Sequence, residues 1–242
     1  GFDLDGVSTV HIVPGCGEMD LDRALFSCED SVSIELIDAD INLDPGTVDT
    51  ITVEVVSTSD PQGETVMLTE SGPDTSEFFG NVDVQEGSGG TGHVGVAHGD
   101  TLTVTYQDGD CEGEPQVVEE TATIDCVGPV ISNVQVIEIT DNSALVTWTT
   151  DEASDSVVTF GETTPPTSVI SDDQMVMQHS VLLTDLLSCT SYRFSVGSSD
   201  PAGNETVDMA GGSYHSFLTW ELVVFIDENM DTDPGWSYEG QW

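Results

Sequence analysis

The chain has no lysine, and its only arginines are Arg23 and Arg193. Each consequence is an exclusion. A phosphate backbone is bound when Lys and Arg displace its counterions into solution, so nucleic acid is excluded as a partner. An anionic membrane surface is excluded on the same ground. Without lysine there is no Schiff-base chemistry. Long apolar runs are also missing. The longest, Leu222 to Ile226, has the length of a strand, far short of the roughly 20 residues of a spanning helix. Motifs of catalysis are lacking too: no Gly-x-Ser-x-Gly elbow, no P-loop, no His-Glu-x-x-His. The histidines (His11, His93, His98, His179, His215) are scattered, and no Cys-x-x-Cys pair suggests zinc. The sequence reads as non-enzymatic.

What is there is acid. The chain carries 46 Asp and Glu and a formal charge of -44 on 242 residues. Like charge at that density opposes collapse, so either high salt or bound cations must neutralise it. Residues 1–127 hold 28 of the acids and residues 128–242 hold 18. Many lie in short Asp-x-Asp runs, where both side chains leave a strand on the same side and two carboxylates converge. A hard cation with about 6–8 oxygen ligands suits such runs, so several calcium ions are expected. The candidate ligands are Asp3 and Asp5; Asp20 and Asp22; Asp38, Asp40, Asn42, Asp44 and Asp49; Asp108, Asp110 and Glu112; and Asp227, Glu228, Asn229, Asp231 and Asp233. None matches an EF-hand loop. For each, the plainer alternative is a solvated acidic loop.

Apolar residues alternate with polar ones in short segments bounded by Asp, Pro, Gly or Asn, which predicts an all-β chain of sandwich type. After a lead-in, 1–27, with one short strand at Ser8–Val13, strands are expected at Ser31–Ile37, Thr50–Ser57, Thr65–Glu70, Phe78–Val84, Thr101–Tyr106 and Thr121–Asp125. Val127-Gly128-Pro129 marks a boundary. A second series follows: Val130–Ile139, Ala144–Thr149, Ser156–Phe160, Gln178–Leu183, Tyr192–Ser198 and Ser213–Thr219. The expected units are an acidic sandwich over 28–127, a second over 128–219, and an extension over 220–242.

The second unit, with Ala144-Leu-Val-Thr-Trp148-Thr-Thr-Asp-Glu, Ser156-Val-Val-Thr-Phe-Gly161, Leu183-Thr-Asp-Leu186 ahead of Tyr192, and Ser199-Asp-Pro-Ala-Gly-Asn204, resembles a fibronectin type III domain of secreted bacterial proteins. The resemblance implies that Trp148 is a core residue and Tyr192 a tyrosine corner, both structural. The first unit, with Asp38-Ala-Asp40-Ile-Asn42, Asp49-Thr-Ile-Thr-Val and Gly99-Asp-Thr-Leu-Thr-Val-Thr-Tyr106-Gln-Asp-Gly-Asp110, resembles Ig-like modules of large bacterial surface proteins. Such modules also occur downstream of gingipain-like cysteine peptidases. The resemblance implies a module, not an activity.

Of the five cysteines, Cys28 and Cys126 bracket the first unit, and a bridge there closes a loop worth about 4–5 kcal/mol on the chain-entropy model. Cys16 and Cys111, both in Gly/Glu-rich loops, form the second expected pair. Cys189 is left over, either a buried free thiol or an intermolecular bridge. This usage fits an oxidising, extracellular or cell-surface setting. The start at Gly1 reads as a processed form or an excised fragment, and Asn204-Glu-Thr206 is a glycosylation sequon.

In the tail, Trp220-Glu-Leu222-Val223-Val224-Phe225-Ile226 is apolar on both faces and expects cover on both. It either begins a further domain, as Asp233-Pro-Gly-Trp236 with its resemblance to a jelly-roll opening suggests, or is donated to another copy. The expected function is therefore an extracellular, calcium-loaded structural protein that joins copies of itself into a fibre or array. The alternative is a non-catalytic accessory module of a secreted gingipain-like peptidase or an adhesin that touches cell-surface or matrix components.

Overall fold

The structure, a computed structural model, describes residues 15–42 and 44–221. The expected strand at Ser8–Val13, the candidate ligands Asp3, Asp5, Asp227, Glu228, Asn229, Asp231 and Asp233, and the tail residues Leu222, Val223, Val224, Phe225 and Ile226 lie outside the described residues. Among those described the regular structure is strand apart from one short 3-10 turn, with no α-helix.

The first unit comprises β1 (Glu18–Leu21), β2 (Leu25–Phe26), β3 (Ser31–Ile37), β4 (Thr50–Ser57), β5 (Glu64–Glu70), β6 (Glu77–Glu86), β7 (His93–Val96), β8 (Thr101–Cys111) and β9 (Glu114–Ile124). They join in the order β1-β3-β6-β5-β4-β8-β9-β2, with β7 added to β6. The sheet curls on itself, and its inward residues form one core. Strict alternation explains the register: Val32, Ile34 and Leu36 of β3 are fully buried while their neighbours face out. Pairing in the first sheet begins before Cys28. Both β1 and β2 lie in the stretch read as a lead-in, where Met19 packs in the core opposite Leu36 and β2 runs parallel to β9.

The second unit comprises β10 (Ser132–Ile137), β11 (Ala144–Gly161), β12 (Ser168–Leu183), β13 (Ser191–Ser199), β14 (Glu205–Asp208) and β15 (His215–Leu218). Here the expected strands Ala144–Thr149 and Ser156–Phe160 are one continuous strand. β11 turns a corner at a register irregularity between Thr149 and Ser154; its first half pairs β10 and β12, and its second half pairs β12 and β13. Turning the corner without a break lets one strand serve both layers. The core holds Trp148, Tyr192, Phe194 and Phe217.

Candidate metal sites

Two of the expected acidic runs meet at one end of the first sandwich. Asp38 follows β3, and Asp108 lies in β8 beside the buried Tyr106. The Tyr106 hydroxyl donates to Asp38 Oδ2 at 2.7 Å. The Gly17 amide donates to Asp108 Oδ2 at 2.9 Å. The other oxygen of each acid closes a turn on its own run: Asp40 N donates to Asp38 Oδ1 at 2.9 Å and Asp110 N to Asp108 Oδ1 at 3.0 Å. Asp38 and Asp108 are almost wholly buried, and the exposed Asp40 carboxyl is raised above the ordinary range by partial desolvation and then by Asp38, Asp110 and Asp108. Burial, the hydrogen bond to Asp38 and the same negative field push the Tyr106 phenol far above its usual value. Arginine does not relieve this field: Arg23 reaches Asp22 and Asp30, and Arg193 reaches the Ser213 carbonyl.

The remaining expected ligands divide. Asn42 stands near this end; its amide donates to Asp74 Oδ1 at 3.1 Å while its buried Oδ1 has no hydrogen-bond partner. Asp22 is committed to the Ser33 amide and Arg23, and Asp20 is an exposed residue of β1. Asp44 Oδ1 accepts from the Gly46 amide and Asp49 Oδ2 from the Asp44 amide, so both carboxylates serve a local turn. Glu112 sits at positive φ in the exposed turn after β8. Hydrogen bonds through Ser76 and Glu70 keep Asp38, Asn42, Asp49 and Asp44 in one neighbourhood.

The tightest gathering of acids is elsewhere. Among the described residues, Asp125, Glu152 and Asp200 are the trio whose carboxylate oxygens come within 4.8 Å of one another. Oxygens sharing one calcium at 2.3–2.6 Å can stand at most about 5 Å apart, so the spacing fits. The three come from the end of the first sandwich, the β11 corner and the turn after β13. Around them polar contacts gather on both sides of the boundary, and one hydrogen bond from Asn204 crosses it. Asn204 Nδ2 donates to the Asp125 carbonyl at 2.9 Å and to Asp200 Oδ2 at 2.8 Å. His98 Nδ1 stands 2.9 Å from Asp125 Oδ1. Val130 N donates to Asp151 Oδ1 at 2.7 Å, and a Cβ on Gly128 would come within 2.8 Å of Thr206 Oγ1. Glu152 is raised by desolvation first, then by Asp125, Asp200 and Asp151, with His98 opposing. The sequence reading missed this trio because it treated Asp151-Glu152 and Asp200 to Asn204 as fold marks only. The available signal was their place in turns facing the Val127-Gly128-Pro129 boundary. Both hydrogens of the Asn204 amide, the first residue of the sequon, are given to the Asp125 carbonyl and Asp200 Oδ2.

Both expected disulfides form, Cys16–Cys111 and Cys28–Cys126. Cys189 is free and exposed, which overturns the expectation of a buried thiol. It holds a left-handed φ of 51° in an open turn, where its amide donates to the Trp220 carbonyl. Of the tail residues expected to mediate assembly, Trp220 is described and is 64% exposed.

The second unit has a fibronectin type III-like fold: β11 pairs β10 in its first half and β13 in its second with β12 alongside both, Trp148 fills the core, and in a tyrosine corner Leu187 N donates to the Tyr192 hydroxyl at 2.9 Å. The first is an Ig-like sandwich with its short β2 parallel to β9. No family model matches the chain, and no curated protein matches it either. Solved structures similar to it include the FN1–FN3 domains of chicken CNTN1 (11% identity, TM-score 0.44, 84% of this chain and 66% of that one). A titin segment is similar at 14% identity and TM-score 0.43, over 85% of this chain and 67% of that one. So is a two-domain fibronectin type III segment of chicken tenascin, at 16% identity and TM-score 0.30, over 80% and 97%. The chain thus spans just under two thirds of the CNTN1 structure. The strand order and the corner carry the fold assignment by themselves.

Proposed function

We propose that this chain is an extracellular structural tandem whose two sandwiches are locked by calcium and which joins copies of itself end to end. The observation that carries the reading is the junction trio, Asp125, Glu152 and Asp200, drawn from both units. Three carboxylates that close, met by one histidine, repel one another unless a cation lies between them. An ion there is worth about 2.7 kcal/mol at a hundredfold excess over its dissociation constant if it binds only the folded form. A second ion would sit on Asp40 and Asp110, with Asp38, Asp108 and Asn42 supporting the loops. The exposed Trp220 supports a role for the segment through Ile226 in contacts between copies, with copies of this chain the only partner required.

Light scattering and negative-stain microscopy, with calcium and then with a chelator, test the proposal. Calcium-dependent filaments that vanish on deletion of residues 220–242 are expected. A monodisperse monomer in calcium contradicts self-assembly and leaves the accessory-module reading in its place.

A further inference from the structure

We infer that the Cys16–Cys111 disulfide is a redox-sensitive strap that holds the Cys16-Gly17 segment down over the buried acids of the first sandwich. Its effect on ion affinity rests on the calcium reading above; the strap itself does not.

Gly17 is the residue held against the acids. It is buried, its amide donates to Asp108 Oδ2, and a Cβ on it would lie 2.7 Å from Tyr106 Cε1 and 3.4 Å from Asp38 Oδ2. The segment therefore lies directly over Tyr106, Asp38 and Asp108 and helps keep water from them. The described chain has little else to hold it there. Gly15 is exposed with open space around it, and pairing begins only at Glu18. The tether is the bond from Cys16 to Cys111 at the end of β8, three residues beyond Asp108. One bridge thus fixes both the cover and the Asp108-Gly-Asp110 turn beneath it.

The two disulfides differ in position. Cys28 is in the core at 6% exposure and shields the half-buried Cys126, which packs against that core, whereas Cys16 and Cys111 are both half-buried and outside it. Accessible disulfides exchange first. A dithiol reductant attacks one sulfur of Cys16–Cys111 and releases the other as a thiolate. The reagent's second thiol then resolves the mixed disulfide. Two electrons and two protons pass to the protein, leaving two cysteine thiols and an oxidised reagent. Because Met19 stays in the core and β1 stays paired to β3, release is confined to the residues ahead of β1. Asp38 and Asp108 become hydrated, the two turns lose their fixed relation, and ion affinity falls about tenfold or more, the scale of losing support around metal ligands.

The test uses the full chain in three forms: oxidised, treated briefly with a dithiol, and Cys16→Ser/Cys111→Ser. Amide deuterium exchange over residues 15–21, measured without metal, reads the strap. Protection at Gly17 in the oxidised form and its loss in the other two, with residues 31–37 still protected, is expected. Unchanged protection at Gly17 overturns the proposal. Terbium emission sensitised by the Tyr106 ring, with Tyr106→Phe to assign the signal, reads the ion. Tenfold weaker binding after strap opening is expected. Equal affinity in all three forms overturns the gating. No Tyr106-dependent emission in any form contradicts the ion at this end and leaves the strap to be decided by exchange alone.

Discussion

The two sandwiches reach stability by different means. The first is closed by two disulfides and holds its turns with buried or half-buried carboxylates: Glu70 accepts from the amides of Asp49, Thr75 and Ser76, and Asp60 from those of Gly63 and Gly95. The second has no disulfide among its described residues and packs rings instead. Trp148 stacks on the buried His179 at 4.8 Å, and Tyr192 stacks on Phe217 at 5.5 Å. Where charge density is higher, covalent closure and anchored carboxylates replace aromatic volume. The difference teaches that the two units should fail separately and under different stresses.

The largest effect that sharpens this contrast is covalent. Cys28→Ser/Cys126→Ser should destabilise the first sandwich by about 4–5 kcal/mol and leave the second unchanged, read as the shift of one of two resolved unfolding transitions. Equal shifts in both would show that the units unfold as one. Next, Trp148→Ala should cost the second sandwich about 3–5 kcal/mol, from lost burial and from the cavity beside His179, without moving the first transition.

Acid should separate them again. His179 is held below its ordinary value by burial, with Asp155 opposing; its nitrogens meet the hydroxyls of Thr150 and Ser156. Unfolding frees it to take a proton, so its stabilisation is complete above about pH 6.5 and is lost as pH falls toward the folded value. Glu70 is lowered by its amide donors, Asp49 first, and Asp60 by Gly95 first. Their stabilisation persists to about pH 4 and is lost below it. Melting against pH should therefore weaken the second sandwich first. His179→Gln should flatten that step, and a second transition that does not move between pH 7 and 5 would refute the assignment. The smallest expected effect is at the seam. Gly128→Ala crowds Thr206 Oγ1 where the segment after the boundary lies against β14, and should cost the second unit about 1 kcal/mol, read as a small shift of its transition alone.

Much of this architecture was legible. β3 and β4 have the bounds expected from alternation, since each has one wet and one dry face and ends at turn-forming residues. The corner in β11 was not legible. Thr150-Asp-Glu-Ala-Ser154 reads as a polar turn between strands, and only the hydroxyl contacts of Thr150, Ser154 and His179 show how the strand carries polar groups through a buried bend. Similarly, β7 was hidden in a glycine-rich stretch, and Asp172-Asp173 concealed the first half of β12. The convergence of Asp38 with Asp108 was half visible, because each run announces itself but their meeting depends on how the sheet curls. The junction trio was invisible to local pattern, because its members are far apart in the chain: Asp125 after β9, Glu152 within β11 and Asp200 after β13.

The cation proposed at Asp125, Glu152 and Asp200 would fix the two sandwiches relative to each other. Small-angle scattering of the chain lacking residues 220–242, at low ionic strength, tests it directly. The account predicts a profile fitted by a single inter-unit orientation in calcium, a broadened ensemble in chelator, and no calcium response in Glu152→Gln. Identical profiles with and without calcium would contradict it.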